Sequence, residues 1–301
     1  MAEKKQRKPR TKKANVMNGD PAVLTPTEHL TEKRKAEQQH PLVFADDVKV
    51  VAIINFNTPE LTEAAIKSVR KHGGENYQIV VFDNSCTIDF EAVPGIPARH
   101  YDARPFTAKM DGVTVIDNTQ GQVIDFKKLL ADFPDRTKVH GLANDWGSDK
   151  HIWTVQKLWE LIPNGFVLLE SDVLLTKNID FMFNRAEGVI GYVQQPQPHN
   201  RFNIGRLVPM LCWMNVPMLT KCGARYFDPE RAWMLYPDID DRRNWYDTGA
   251  VLLEDVRSHM NGLCGKHIDI RNFMIHKQSG SWRRMGLTAE QWLKMNETLW
   301  K

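Results

Sequence analysis

The chain has 301 residues, 42% of them hydrophobic and 26% charged, with a formal net charge of +3. That length supports a full hydrophobic core without disulfide or metal staples, and the composition excludes a collagen-like, disulfide-scaffold or wholly disordered protein. The charge is unevenly divided, because residues 1–40 hold 10 Lys/Arg against 5 Asp/Glu, leaving 30 against 32 for the rest.

The run from Lys4 to Lys13 (KKQRKPRTKK) contains no apolar residue and cannot bury surface. It predicts a disordered basic tail over residues 1–45, ahead of one folded domain over residues 46–301. No apolar segment follows those charges at signal-peptide length. The richest apolar stretch, Leu207–Leu219, is short and broken by Pro209 and Pro217, so no membrane span is expected. The reading is a cytoplasmic protein, possible to find peripheral to a membrane, whose tail either solubilises it or contacts nucleic acid or an anionic membrane surface. Cys86, Cys212, Cys222 and Cys264 form no C-x-x-C pair and read as reduced thiols.

The elements follow in order. Lys49–Asn55 is a β-branched run without alternation, as expected for a strand buried on both faces. Thr58 caps a helix that has Pro59 at its first position, runs to about Arg70 and stops at Gly73-Gly74. A second buried strand, Tyr77–Phe82, ends in Asp83-Asn84-Ser85. Strand, helix, strand at this spacing predicts a βαβ unit and a mostly parallel sheet. A short strand is expected over Gly112–Ile116 and a short helix over Phe126–Phe133. Ser148 caps a further helix to about Leu161, with Ile152, Val155, Leu158, Trp159 and Ile162 inward. Gly165–Leu169 is a third buried strand and ends in Glu170-Ser171-Asp172. The aperiodic stretch from Gly188 to Tyr236 reads as strands and loops covering one end of the sheet. A helix starting near Asp247 or Leu252 ends by Gly262, and a terminal helix follows the cap Thr288.

In an open α/β sheet, ligands bind beyond the carboxyl ends of the strands. Three such ends here carry polar groups: Asn55, Asp83-Asn84-Ser85 and Glu170-Ser171-Asp172. Two carboxylates two residues apart after a strand can share a hard divalent cation such as Mg²⁺ or Mn²⁺, and His276 in the polar loop His276–Trp282 would suit the manganese case. Asp247, Glu254 and Asp255 are carboxylates available as a general base, although helix capping also explains at least one of them. Ser148, Lys150 and His151 at a helix start could hold phosphate oxygens, with capping the simpler role for Ser148. The sequence has no G-x-G-x-x-G after the first strand, no G-x-x-x-x-G-K-[ST] and no G-x-S-x-G, which disfavours dinucleotide oxidoreductases, P-loop NTPases and α/β-hydrolases.

In this order the motifs resemble a glycosyltransferase of the GT-A fold, of the inverting family-2 type. The resemblance is carried by Val50–Glu60, Val80–Ser85, Asn144–His151, Phe166–Leu175, Tyr246–Arg257 and His276–Trp282, over roughly residues 48–282. It implies an α/β fold with a mostly parallel central sheet flanked by helices. It also implies a nucleotide-diphosphate sugar donor, with UDP the expected nucleotide, and a Mn²⁺ or Mg²⁺ ion. Asp172, Glu170 and His276 would hold the metal. Asn55, Asn57, Asp83, Asn84, Lys150 and Ser171 would line the donor site, and the base would be Asp255, Asp247 or Glu254. Glu170 departs from the family pattern, which has aspartate at the first position of its D-x-D motif. The implied acceptor is a glycan or lipid-linked saccharide. Modified DNA bases are the alternative acceptor, and a nucleotide-sugar-binding protein without catalysis is the alternative function. Trp213, Trp233, Trp245 and Tyr246 are candidates for an acceptor pocket or for core packing.

Overall fold

The computed structural model describes residues 41–45, 47–73, 76–90, 99–119, 123–125, 151–152, 154–196, 205–228, 248–259, 265–277 and 287–301. The predicted basic run, the helix expected over Phe126–Phe133, the cap Ser148 and the aromatic residues Trp233, Trp245 and Tyr246 lie outside these residues. Within the last part of the expected tail, Leu42 donates its backbone N–H to the Leu161 carbonyl (2.8 Å), and Leu42 and Phe44 pack against the core.

Strand β1 (Lys49–Asn55) leads through Asn57, whose φ of 56° turns the chain, into helix α1 (Pro59–Gly73) and then strand β2 (Tyr77–Asp83). Strands β3 (Thr87–Phe90), β4 (Arg99–Tyr101) and β6 (Val123–Asp125) form a separate three-stranded sheet, with β5 (Val113–Asp117) between them in sequence. A helix, α2, covers residues 154–161, with residues 151–152 helical ahead of it. Strands β7 (Phe166–Glu170), β8 (Val173–Leu175), β9 (Val189–Gln194) and β10 (Arg206–Met214) follow, then helices α3 (Val216–Lys221) and α4 (Ala250–His259). The chain closes with β11 (Gly265–His267), β12 (Met274–His276) and α5 (Ala289–Met295).

The central sheet has seven strands in the order β11-β9-β10-β7-β1-β2-β5. Pairs β7–β1, β1–β2, β2–β5 and β9–β11 are parallel, whereas β10 runs antiparallel to both β7 and β9. The expected α/β class with a mostly parallel central sheet is therefore the one observed. The Gly188–Tyr236 stretch differs from expectation, because β9 and β10 extend the sheet itself instead of covering its end. Its periodicity is hidden by Pro209 and by a register shift between Leu207 and Cys212.

The unbroken apolar runs are explained by burial on both faces. Val50, Ala52 and Ile54 of β1, with Phe166 and Leu168 of β7, pack under Ile152, Val155, Leu158 and Ile162 of the α2 segment and Leu252 and Val256 of α4. Val51 and Ile53, with Val167 and Leu169, face Ala65, Ile66 and Val69 of α1 on the opposite side. Each fully buried aliphatic side chain of this kind contributes roughly 1.5–3 kcal/mol. Trp292 and Leu293 of α5 seal Leu61 and Ala64 of α1, and Thr288 forms the expected cap as a reciprocal capping box with Gln291. No helix among the described residues is long and apolar enough to cross a membrane.

Candidate metal centre at the carboxyl edge of the sheet

Parallel registry lines up the strand ends. Asn55 sits opposite Asp83 and Asp83 opposite Asp117, while Glu170 lies beside Ile54, so β7, β1, β2 and β5 all end in polar residues along one edge. Asp117 and Asn118 belong to this row and went unnoticed in the sequence. The signal was there: a short apolar strand, Val113–Ile116, runs straight into Asp-Asn.

Two groups of side chains occupy the edge. The first is a buried hydrogen-bonded knot at the ends of β1 and β2. Asn55 donates its amide to Asp83 Oδ1 (3.0 Å) and to Ser85 Oγ (2.9 Å), and its Oδ1 accepts from the Thr62 hydroxyl (2.8 Å). Asp83 accepts from the backbone N–H of Ser85 (3.1 Å) and of Phe106 (2.5 Å). Asn57 accepts at Oδ1 from the backbone N–H groups of Cys86 and Arg104 (both 3.1 Å) and donates to the Cys86 carbonyl (2.7 Å). The Ser85 hydroxyl reaches the Arg104 carbonyl (3.0 Å). These contacts stitch the segment 104–106 across the ends of both strands, which is why the polar side chains tolerate complete burial. Asn84 lies alongside, donating to Thr154 Oγ1 (2.8 Å) and accepting from the Asn118 amide (2.7 Å).

The second group is a cluster of possible metal ligands. Glu170 closes β7, Ser171 and Asp172 make the turn, and β8 starts at Val173. Strand β12 pairs antiparallel with β8, placing His276 opposite Val173, and the Lys277 N–H binds the Asp172 carbonyl (2.9 Å). This short ladder brings one ligand atom from each of Glu170, Asp172 and His276 within 4.8 Å of one another. His276 Nε2 lies 3.3 Å from Asp172 Oδ2. Burial, which disfavours the charged imidazole, is outweighed by the hydrogen bond and negative charge of Asp172, with Glu170 adding to it, so the His276 pKa is raised. The Ser171 hydroxyl meets Thr58 Oγ1 (3.1 Å), tying the turn to the start of α1. Cys212 on β10 feels the same site: burial, then the charge of Glu170, push its thiol up.

The remaining sequence candidates are placed elsewhere or outside the described residues. Asp255, on α4, is buried and accepts the Arg225 backbone N–H (2.9 Å), with the Arg225 guanidinium 3.9 Å away. Glu254 beside it is partly exposed. Asp247 and Lys150 lie outside the described residues. Gly249, at φ 79°, brings its backbone so near β10 that an added Cβ would stand 2.0 Å from the Leu207 carbonyl oxygen, which accounts for the glycine in Asp-Thr-Gly. Trp213 is a core residue, with its indole N–H on the Glu187 carbonyl (3.1 Å) and an edge-on Phe183.

No protein-family model matches the chain, and no curated protein matches it in sequence. Solved structures similar to it are glycosyltransferases. The WbbM bifunctional glycosyltransferase is 10% identical over 77% of this chain and 40% of that one, with a TM-score of 0.39. Mouse xyloside xylosyltransferase 1 is 11% identical over 74% of this chain and 85% of that one, with a TM-score of 0.40. The glycosyltransferase GlyE of Streptococcus pneumoniae TIGR4 is 9% identical over 84% and 61%, with a TM-score of 0.41.

Proposed function

We propose that this chain is a metal-assisted glycosyltransferase that moves a sugar from a nucleotide-diphosphate sugar, with UDP the expected nucleotide, to an acceptor hydroxyl with inversion. The observation that carries the reading is the convergence of Glu170, Asp172 and His276 within 4.8 Å at the carboxyl edge of a mostly parallel sheet. Two carboxylates and one imidazole form a donor set suited to Mn²⁺ or Mg²⁺, with the imidazole favouring the former. Bound there, the cation would neutralise the diphosphate as it departs.

The residues around the cluster have distinct parts in this reading. The knot of Asn55, Asn57 and Asp83 fixes segment 104–106 as a rigid wall for the nucleoside, with Asn84 beside it. Ser171, in the turn between Glu170 and Asp172, is assigned to the phosphate side, and Lys150 keeps that role from the sequence alone. In the inverting reaction a carboxylate takes the proton from the acceptor hydroxyl as the new bond forms. The acidic motif supplies it from Asp247, Glu254 or Asp255; the bond from Asp255 to the Arg225 main chain suits a supporting role for that residue.

The test is donor turnover by the purified protein across UDP-, GDP-, CMP- and TDP-sugars, with Mn²⁺ or with EDTA, reading released nucleotide. The expected result is slow release from one donor, lost in EDTA and in Asp172→Ala. Absence of both turnover and Mn²⁺-dependent donor binding by calorimetry would overturn the reading.

A further inference from the structure

We infer that His151 is a positioning residue for Glu170, and that the two act as one unit in presenting the longer carboxylate to the cation. The inference rests on the metal reading above and adds a residue to it. Glutamate carries one more methylene and one more rotatable bond than aspartate, so its carboxylate has more positions to choose among and more side-chain entropy to lose on binding. A ligand of that kind serves a metal well only when a neighbour restricts it.

His151 is placed to do so. Its Nε2 stands 3.7 Å from Glu170 Oε1, an ion-pair distance longer than a hydrogen bond, and both ring nitrogens are shielded from solvent. Shielding keeps the interaction from being diluted by water. Both residues start from fixed backbone. Glu170 is the last residue of β7, paired at the level of Ile54, and His151 precedes the fully buried Ile152, which locks the helix start into the core. The Glu170 carboxylate therefore has the His151 imidazole 3.7 Å from Oε1, and it shares the ligand cluster with Asp172 and His276. His151 is not within the 4.8 Å ligand group itself, so its action on the cation passes through Glu170.

The experiment uses the full-length protein and Mn²⁺ alone, followed by electron paramagnetic resonance of the free ion and by calorimetry. His151→Ala is expected to weaken Mn²⁺ binding about 10-fold, within the range for outer partners of metal ligands, and His151→Gln to recover most of it. Glu170→Asp is expected to weaken binding to a similar degree. The double variant His151→Ala/Glu170→Asp should be no weaker than the worse single variant, because the shortened acid no longer meets the imidazole. Unchanged affinity in His151→Ala, or losses that simply add in the double variant, would overturn the inference while leaving the metal site intact. Absence of Mn²⁺ binding in the wild type would overturn the metal reading and this inference together. If His151→Ala fails to fold, His151→Phe, which keeps a flat ring but has no polar nitrogen to meet the carboxylate, makes the same comparison.

Discussion

Strands β1 and β2 lie side by side along their length, and their two ends are built differently. At the amino end Lys49 sits opposite Tyr77, and both engage one carboxylate: Lys49 Nζ lies 2.5 Å from Asp180 Oδ1, and the Tyr77 hydroxyl donates to the same oxygen at 2.6 Å. One cation, one phenol and the Asn178 amide (3.2 Å) converge on that single anion. At the carboxyl end Asn55 sits opposite Asp83, which accepts from main-chain N–H groups, and the neighbouring strand ends in Glu170, with Asp172 in the turn after it, each acid facing an imidazole. An ammonium group neutralises a carboxylate permanently, whereas an imidazole can yield its place to a metal ion. The amino ends of the two strands thus close on an ammonium and a phenol, whereas their carboxyl ends close on main-chain groups beside a cluster whose acids face imidazoles.

Within the carboxyl edge, the knot and the ligand cluster should separate cleanly by mutation. Asp83→Ala removes the acceptor of two buried backbone N–H groups and of the Asn55 amide, and should destabilise the fold by about 3 kcal/mol or more. Urea unfolding reads this as a lower midpoint; a midpoint within experimental error of wild type would mean that segment 104–106 does not depend on Asp83. Asp172→Ala is expected to act in the other way, weakening Mn²⁺ binding by about 100-fold, or roughly 2.7 kcal/mol, with little change in the thermal midpoint of the metal-free protein. A large loss of stability with metal affinity retained would exchange the two roles.

That contrast also marks how far the sequence was readable. Strands β1, β2 and β7 were legible because burial on both faces leaves continuous apolar runs, and their polar last residues do line up along one edge. Glu170, Asp172 and His276 were each legible as residue types. Their meeting depends on the pairing of β8 with β12, three residues each, which is too short to leave a periodic pattern. The partners of Asn55, Asn57 and Asp83 were illegible for another reason. They are main-chain groups of residues 86, 104 and 106, and a backbone N–H or carbonyl carries no residue-type signal. Strand β10 escaped because its bulge and Pro209 interrupt the alternation that an antiparallel strand would otherwise show.

The smallest effect is expected at the amino end, where pH distinguishes it from the other edge. The hydrogen bonds from Lys49 and Tyr77 hold the Asp180 carboxyl below the usual aspartate range against a smaller opposing effect of burial. Burial, and then the bond to Asp180, push the Tyr77 phenol well above its usual range, so it remains a donor throughout. Because the folded-state pKa of Asp180 is depressed, its stabilisation is fully present above the unfolded value of about 3.9 and is lost as pH falls through the lower folded value. Asp180 is substantially exposed, so the whole contribution is about 0.5 kcal/mol after solvent screening. Asp180→Asn should therefore lower the thermal midpoint by only a degree or two at pH 7, with the difference from wild type shrinking below about pH 4. It should leave Mn²⁺ binding unchanged, because the site lies at the far end of the same strands. A variant that lost metal affinity would show that the two ends communicate through β1 and β2, and the division between them would no longer hold.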